Sequence, residues 1–265
     1  MTIEFQPLPS LEPVASLRRQ YVQQAVAPLD GMWLCGLTPA AAHVGFVHDG
    51  QVAGYYSLND DGFLMQFHVD EPLRPRAMEL LDTVVTQREV AGAFASTAEP
   101  EYLSLCLDHF PRAEVNALMY QQHTSLGPDA SMGLKVLSHS QHAEAVAFAH
   151  DAIGAPEAWL NDYYGGLIER EELFGLWEGE TLIGAGESRG FGGLQPGYAD
   201  LGVIVATAHR GHGVATRILR DLVRTNEARE LRSICSTEAG NTAAQAAIAR
   251  AGFVPRHRIL QLRPS

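Results

Sequence analysis

The residues best suited to chemistry lie where an apolar run ends. From Val205 the chain continues Ala-Thr-Ala-His209-Arg210-Gly211-His212-Gly213-Val214-Ala215 before an amphipathic stretch begins. A strand that turns through glycines into a helix makes an anion site. The first backbone N–H groups of a helix have no intrahelical acceptor, and the helix dipole places partial positive charge there. Gly211, Gly213 and Ala215 keep side chains out of the approach, and Arg210 adds a fixed positive charge, so a diphosphate suits this turn. No Gly-Lys-Ser/Thr follows, which excludes a P-loop, and the third glycine of a dinucleotide fingerprint is missing. The competing reading is a glycine-containing helix cap. His209 and His212 flank Arg210 without a third ligand, so no metal site is expected.

The elements that must hold this turn occur twice. Strands, an amphipathic helix, a strand, a helix and a final strand recur in the same order, which points to a duplication. In the first half, residues 44–58 form a hairpin around Asp49-Gly50; in the second, residues 173–188 repeat it around Glu178-Gly179. Third strands follow at 63–69 and 199–205. Helices come next, at about Pro75 to Val90 with Met78, Leu81, Val84 and Val85 inward, and at about His212 to Ala228 with Ile218, Leu219, Leu222 and Val223 inward. Strands at 91–97 and 232–237 both end in Ser-Thr. Turn formers at Leu126-Gly127-Pro128-Asp129 divide the chain into 1–127 and 128–265, each an α/β domain.

Composition narrows the function classes. The net charge of −12 opposes nonspecific nucleic-acid binding, which needs Lys and Arg to neutralise phosphates. Residues 1–127 carry 6 basic and 15 acidic side chains against 13 and 16 in 128–265, so the half with the glycine turn is nearer neutral. Three dispersed cysteines suggest neither disulfides nor a thiolate zinc site and fit a reducing cytoplasm. No apolar run reaches the roughly 20 residues of a membrane span, and the first residues do not resemble a signal peptide. A cytoplasmic protein without membrane or nucleic-acid partners is expected.

Arg210-Gly-His-Gly213-Val-Ala215 resembles the Q/R-x-x-G-x-G/A signature of the GNAT acetyltransferase superfamily. So does the later segment Asn241-Thr-Ala-Ala244-Gln-Ala-Ala-Ile248-Ala-Arg-Ala-Gly252-Phe253, which is similar to the GNAT helix after the fifth strand. The resemblance covers about 131–265 in motif, and 1–125 in element order only. In the first half the equivalent loop, Val69-Asp-Glu-Pro-Leu-Arg-Pro-Arg-Ala-Met-Glu79, has no glycine, two prolines and acids that repel phosphate. The resemblance implies two tandem GNAT-like domains, each a mixed, mostly antiparallel twisted sheet flanked by helices, with a degenerate first domain that does not bind the cofactor.

It further implies acetyl-coenzyme A as co-substrate, no metal, and direct attack of an amine on the thioester. The diphosphate would lie on Arg210, Gly211, His212, Gly213, Val214, Ala215 and Thr216, with Asn241 near the pantetheine and backbone N–H groups of Val203, Ile204 and Val205 toward the thioester oxygen. An alkylamine of pKa about 10.4 is almost wholly protonated at neutral pH, so a base is required. Asp200, then Glu187, then Glu238 are the carboxylate candidates; each also reads as a solvated strand end. The helix tyrosine that serves many relatives as general acid is replaced by Ile248. The acceptor pocket would draw on Trp159, Asp162, Tyr163, Tyr164 and the 189–193 glycine loop, with core packing the competing reading for the aromatics.

The expected function is an N-acetyltransferase acting on a small-molecule amine. A protein or peptide N-acetyltransferase and a noncatalytic acyl-coenzyme A sensor are the alternatives, and the sequence does not define an oligomeric state.

Overall fold

The computed structural model describes residues 3–88, 90–124 and 133–265. The chain forms two compact units, Met1–Leu118 with His257–Ser265, and Met119–Arg256. The expected boundary turn, Leu126 to Asp129, lies outside the described residues. Among the described residues no helix is long and apolar enough to cross a membrane.

In the first unit the strand order is β1 (Glu4–Leu8), β2 (Ala42–His48), β3 (Gln51–Leu58), β4 (Phe63–Val69), β5 (Gly92–Ser96) and β12 (Phe253–Arg263). All neighbours are antiparallel except β4 and β5. The β2–β3 hairpin turns where expected, with Asp49 and Gly50 both in the left-handed region at φ 49° and 77°, as a two-residue turn between twisted strands requires.

Three helices cover this sheet: α1 (Ala15–Gln24), α2 (Ala77–Gln87) and α3 (Pro100–His109). The helix expected from Pro75 starts two residues later, because Pro72 and Pro75 fall in a separate 3₁₀ turn, Glu71–Arg76. Its buried stripe is consequently Ala77, Leu80, Leu81 and Val84 rather than one centred on Met78 and Val85, which are only partly covered.

The second unit repeats the plan: β7 (Lys135–Val136), β8 (Leu173–Glu178), β9 (Thr181–Arg189), β10 (Tyr198–Val205), β11 (Arg232–Glu238) and then β6 (Arg112–Gln122). The β8–β9 turn falls on Gly179 and Glu180, because Glu178 still pairs with Thr181. Helices α4 (His142–Ile153) and α5 (Glu157–Glu169) cover one face of the sheet, and α6 (Val214–Ala228) covers the other, with α7 (Thr242–Arg250) beside it.

Close approach fixes α6 on β9. A Cβ on Gly184 would lie 2.6 Å from Ile218, and one on Gly186 2.8 Å from the same side chain. Ile218, Leu219, Leu222 and Val223 are buried, as their spacing predicts. Asn226, also buried, accepts from Ser188 at 2.8 Å and donates to Ser233 at 3.0 Å, tying α6 to β9 and β11.

Each unit takes in a strand from the other half of the sequence. The end of β12, from His257 onward, belongs to the first unit, and Ile259 to Leu262 pair with Ser96 to Ala93 of β5. The end of β6, from Met119 onward, belongs to the second, where Gln122 accepts from the Ser233 N–H. Hydrophobic periodicity locates both strands but does not encode this exchange.

The first unit also holds a carboxylate that pairs with no cation among the described residues. Glu99 accepts from the Tyr21 hydroxyl and, at 2.7 Å, from the Ser96 N–H. Burial raises its carboxyl to about 7, against the pull of those two bonds. Facing it are Tyr21, Tyr55, Tyr102 and Cys106, with His68 nearby; burial holds the thiol up at about 12 and the imidazole down at about 4. These neighbours are all neutral between pH 5 and pH 8.

Between 4.5, its ordinary value, and 7, folded Glu99 keeps a proton that the unfolded chain releases, so its contribution to stability falls as pH rises through that window. Glu99→Gln cannot ionise. The variant is expected to gain roughly 2 kcal/mol on the native chain between pH 5 and pH 8, read as a diverging pair of calorimetric melting temperatures. A difference independent of pH would contradict this.

Candidate active site

The second unit opens a gap in its own sheet. β10 pairs with β11 only at Tyr198↔Arg232, Ala199↔Ser233 and Asp200↔Ile234, whereas its pairing with β9 continues to Val205↔Gly184. Peptide groups alternate in direction along a strand. The Arg232 N–H bonds the Gly197 carbonyl and the Ala206 N–H bonds Ile183, so odd residues of β10 face β11 and even ones face β9. Val203 and Val205 therefore turn their peptide groups into the gap. Ile204 turns its own toward β9, and its side chain packs on the core formed by α4, α5 and β8.

β10 runs directly into the glycine turn. A 3₁₀ turn at Thr207–His209 leads to Gly211 and Gly213, at φ 79° and 76°, and α6 begins at Val214. A Cβ at either glycine would meet only open space. Among the described residues no acceptor engages the N–H groups of residues 211 to 216, and the first turn of α6 holds no acid. Free donors, an unobstructed approach and no repelling charge are what a bound diphosphate needs.

Arg210 is fastened by its guanidinium, with Nε donating to the Val205 carbonyl at 3.1 Å and Nη2 to that of Ala152 at 2.5 Å. It thus brings positive charge to the turn and braces the end of β10 against α4. His209 lies 3.4 Å from Glu178, and His212 is exposed. The Thr216 hydroxyl donates to Ala247 in α7 at 3.2 Å. Asn241 caps α7, its Oδ1 accepting from the Ala244 N–H at 3.1 Å. Ile248 is buried on α7.

Two of the three carboxylate candidates meet on the α4–α5 face of the sheet. Arg189 donates to Glu187 at 2.7 Å and to Asp200 at 2.5 Å, and the Tyr163 hydroxyl bonds Glu187 at 2.6 Å. Asp200 is 1% exposed and Glu187 6%. Burial alone would lower the Arg189 guanidinium, yet Asp200 and Glu187 hold it well above its ordinary value. Burial, and then Glu187, raise the Tyr163 hydroxyl.

The two acids are not equivalent. Both bonds to Glu187 fall on Oε2, leaving Oε1 without one, and this carboxylate lies over Gly202, where a Cβ would approach it to 2.9 Å. Gly202 precedes Val203, whose peptide group faces the gap. Glu238 sits apart, exposed at the end of β11.

Trp159 stacks on Tyr163 at 4.7 Å and stays 47% exposed, forming an aromatic wall beside Glu187. Tyr164 is fully buried in the core with Leu160 and Leu167, against which Tyr163 also packs. Asp162 is exposed, and the 189–193 loop turns through Gly192 and Gly193 at positive φ. In sequence Arg189 reads only as the start of the pocket loop and not as the partner of Glu187 and Asp200. Its signal was the i, i+2 spacing from Glu187, which places both side chains on one face of β9.

A parted parallel strand pair that feeds a glycine turn at a helix start defines an acyl-coenzyme A-dependent transferase fold, and the comparisons agree. A profile of the acetyltransferase (GNAT) domain matches residues 10–123, and one of the acetyltransferase (GNAT) family matches 139–253. The structure of a GNAT-family acetyltransferase from Colwellia psychrerythraea is 42% identical, over 99% of this chain and 100% of that one, with a TM-score of 0.92. Two further structures share the fold. The GCN5-related N-acetyltransferase of Sphaerobacter thermophilus aligns over 99% of this chain and 95% of its own at 15% identity and TM-score 0.66. A tandem GNAT protein from the clavulanic acid biosynthesis pathway aligns over 98% of each chain at 17% identity and 0.61. No curated protein matches the chain. The chain belongs to the GNAT acetyltransferase family, with two GNAT domains in tandem, and acetyl-coenzyme A is the acyl donor of that family.

The cluster around Arg189 gives a stability test. Arg189→Met leaves two buried carboxylates unpaired, and breaking a buried ion pair from one side costs about 3–5 kcal/mol. Urea unfolding is expected to show a loss of that size; a loss below about 1 kcal/mol would mean the acids find other compensation.

Proposed function

We propose that the second unit transfers acetyl from acetyl-coenzyme A to the amine of a small molecule. The observation that carries this reading is the gap beyond Asp200, with the Val203 and Val205 peptide groups facing into it and the open glycine turn at its end. In this reading residues 128–265 supply the coenzyme site and 1–127 form a module without a phosphate turn. The N–H groups of residues 211 to 216 hold the diphosphate, Asn241 closes the far side of the gap, and the Val203 and Val205 N–H groups stabilise the thioester oxygen. Donors of that kind are worth a few kcal/mol. The coenzyme supplies an activated acetyl group and a thiolate leaving group, which needs little help because thiols ionise near 8.5.

Glu187 takes the amine proton, directly or through a water. It ranks ahead of Asp200 because it lies over Gly202, beside the gap, and is the less deeply buried of the two, whereas Asp200 serves to position Arg189. The exposed Trp159 face beside that carboxylate suits a compact cationic acceptor. One observation favours a noncatalytic acyl-coenzyme A binder instead: Arg189 engages both carboxylates, and Ile248 offers no proton.

Calorimetry with acetyl-coenzyme A tests the site. Gly213→Glu is expected to weaken binding at least tenfold, about 1.4 kcal/mol. Gly213→Ala meets the same left-handed φ without filling the turn and so measures backbone strain alone. Unchanged affinity in Gly213→Glu would place the coenzyme elsewhere. In a free-thiol assay with an amine panel, Glu187→Gln is expected to lower kcat roughly 10²–10⁴-fold while retaining coenzyme binding. A native protein that binds the coenzyme but never turns over supports the noncatalytic reading.

A further inference from the structure

The first unit contains its own cavity, of about 440 Å³, where β4 and β5 part. These strands pair only at Phe63↔Gly92 and Leu64↔Ala93, and Phe67, His68 and Val69 line the opening beyond. The opposite wall comes from Tyr21 of α1 and from Glu99 and Tyr102 at the start of α3. The segment after β4 offers no phosphate cradle: Asp70 and Glu71 are acidic, and Pro72 and Pro75 lack an N–H.

What the cavity does offer is a carboxylate lacking a counter-ion. Glu99 is bonded by two neutral donors, and among the described residues no Lys, Arg or His forms an ion pair with it. Arg74, at the rim, is drawn to Glu71 at 3.3 Å and Glu101 at 3.6 Å. Each Glu99 oxygen accepts one hydrogen bond and retains a second lone pair. The Tyr102 hydroxyl, on a side chain only 3% exposed, lies between Glu99 and the Cys106 thiol, and its oxygen can still accept a hydrogen bond. His68, held neutral by burial, does not compete as a cation. An enclosed carboxylate bonded only by neutral donors is completed by a cationic ligand.

We infer that this cavity binds a compact amine with an apolar body, its ammonium bonded to Glu99 and to the Tyr102 hydroxyl oxygen and its carbon skeleton against Phe67 and Val69. The site lies wholly in the first unit and does not depend on the transfer reaction proposed for the second. It gives the module without a phosphate turn a ligand of opposite charge to coenzyme A.

The test is calorimetry on the full chain at pH 8, with benzylamine and cyclohexylamine as probes and benzyl alcohol and cyclohexanol as neutral counterparts. The amines are expected to bind at least tenfold more tightly than the alcohols. Glu99→Gln is expected to remove at least that factor, Tyr102→Phe to weaken binding several-fold, and Glu187→Gln to leave the Glu99-dependent binding in place. Equal binding of amines and alcohols, no amine binding, or full retention in Glu99→Gln overturns the inference. So does loss in Glu187→Gln alone, which would place the amine in the second unit. If Glu99→Gln fails to fold, the native amine-to-alcohol ratio and Tyr102→Phe decide.

Discussion

The second unit depends on hydrogen bonds that β10 and β11 do not make. Past Asp200 and Ile234 the two strands separate, and the peptide groups of Val203 and Val205 are left with no strand to pair with. Unpaired backbone groups are costly unless water or a ligand meets them, so such a gap survives only if the flanking elements hold it rigidly. Three features here do so. α6 is seated on the glycines of β9, the Asn226 network joins β9 to β11, and Arg210 clasps the end of β10 to α4. The glycine turn then continues the same line of donors from strand to helix.

Electrostatics divides the labour among the acids. Arg189 draws Asp200 and Glu187 together under α5, and its positive charge makes the burial of both carboxylates tolerable. Glu99 in the first unit is the converse case, an enclosed acid with neutral neighbours that keeps its proton to near neutrality.

Much of this was legible in the sequence. The glycine turn, the hairpin at Asp49-Gly50, the α6 stripe and the duplication all follow from local rules of backbone freedom and periodicity. What stayed hidden depends on partners distant in sequence. Arg189 reads as one charge at a strand end until β10 brings Asp200 beside it. The parting of two strands leaves no mark on either one, because both remain apolar and regular. Ile204 looks like its neighbours Val203 and Val205, and only the register against β9 shows that its peptide group points elsewhere. Trp159 and Tyr163, at helical spacing, read as core more readily than as ligand wall, and it is the exposure of Trp159 that sets it apart from the core.

The reciprocal placement of the β6 and β12 ends bears on how the chain is made. A nascent polypeptide leaves the ribosome from its amino terminus, so β5 waits for residues 259–262, which emerge after the whole second unit, before its antiparallel neighbour is in place. The amino-terminal half must therefore persist for most of synthesis with the exposed flank of β5 open to mispairing. Neither half, cut free at the midpoint, carries all the strands its own unit uses.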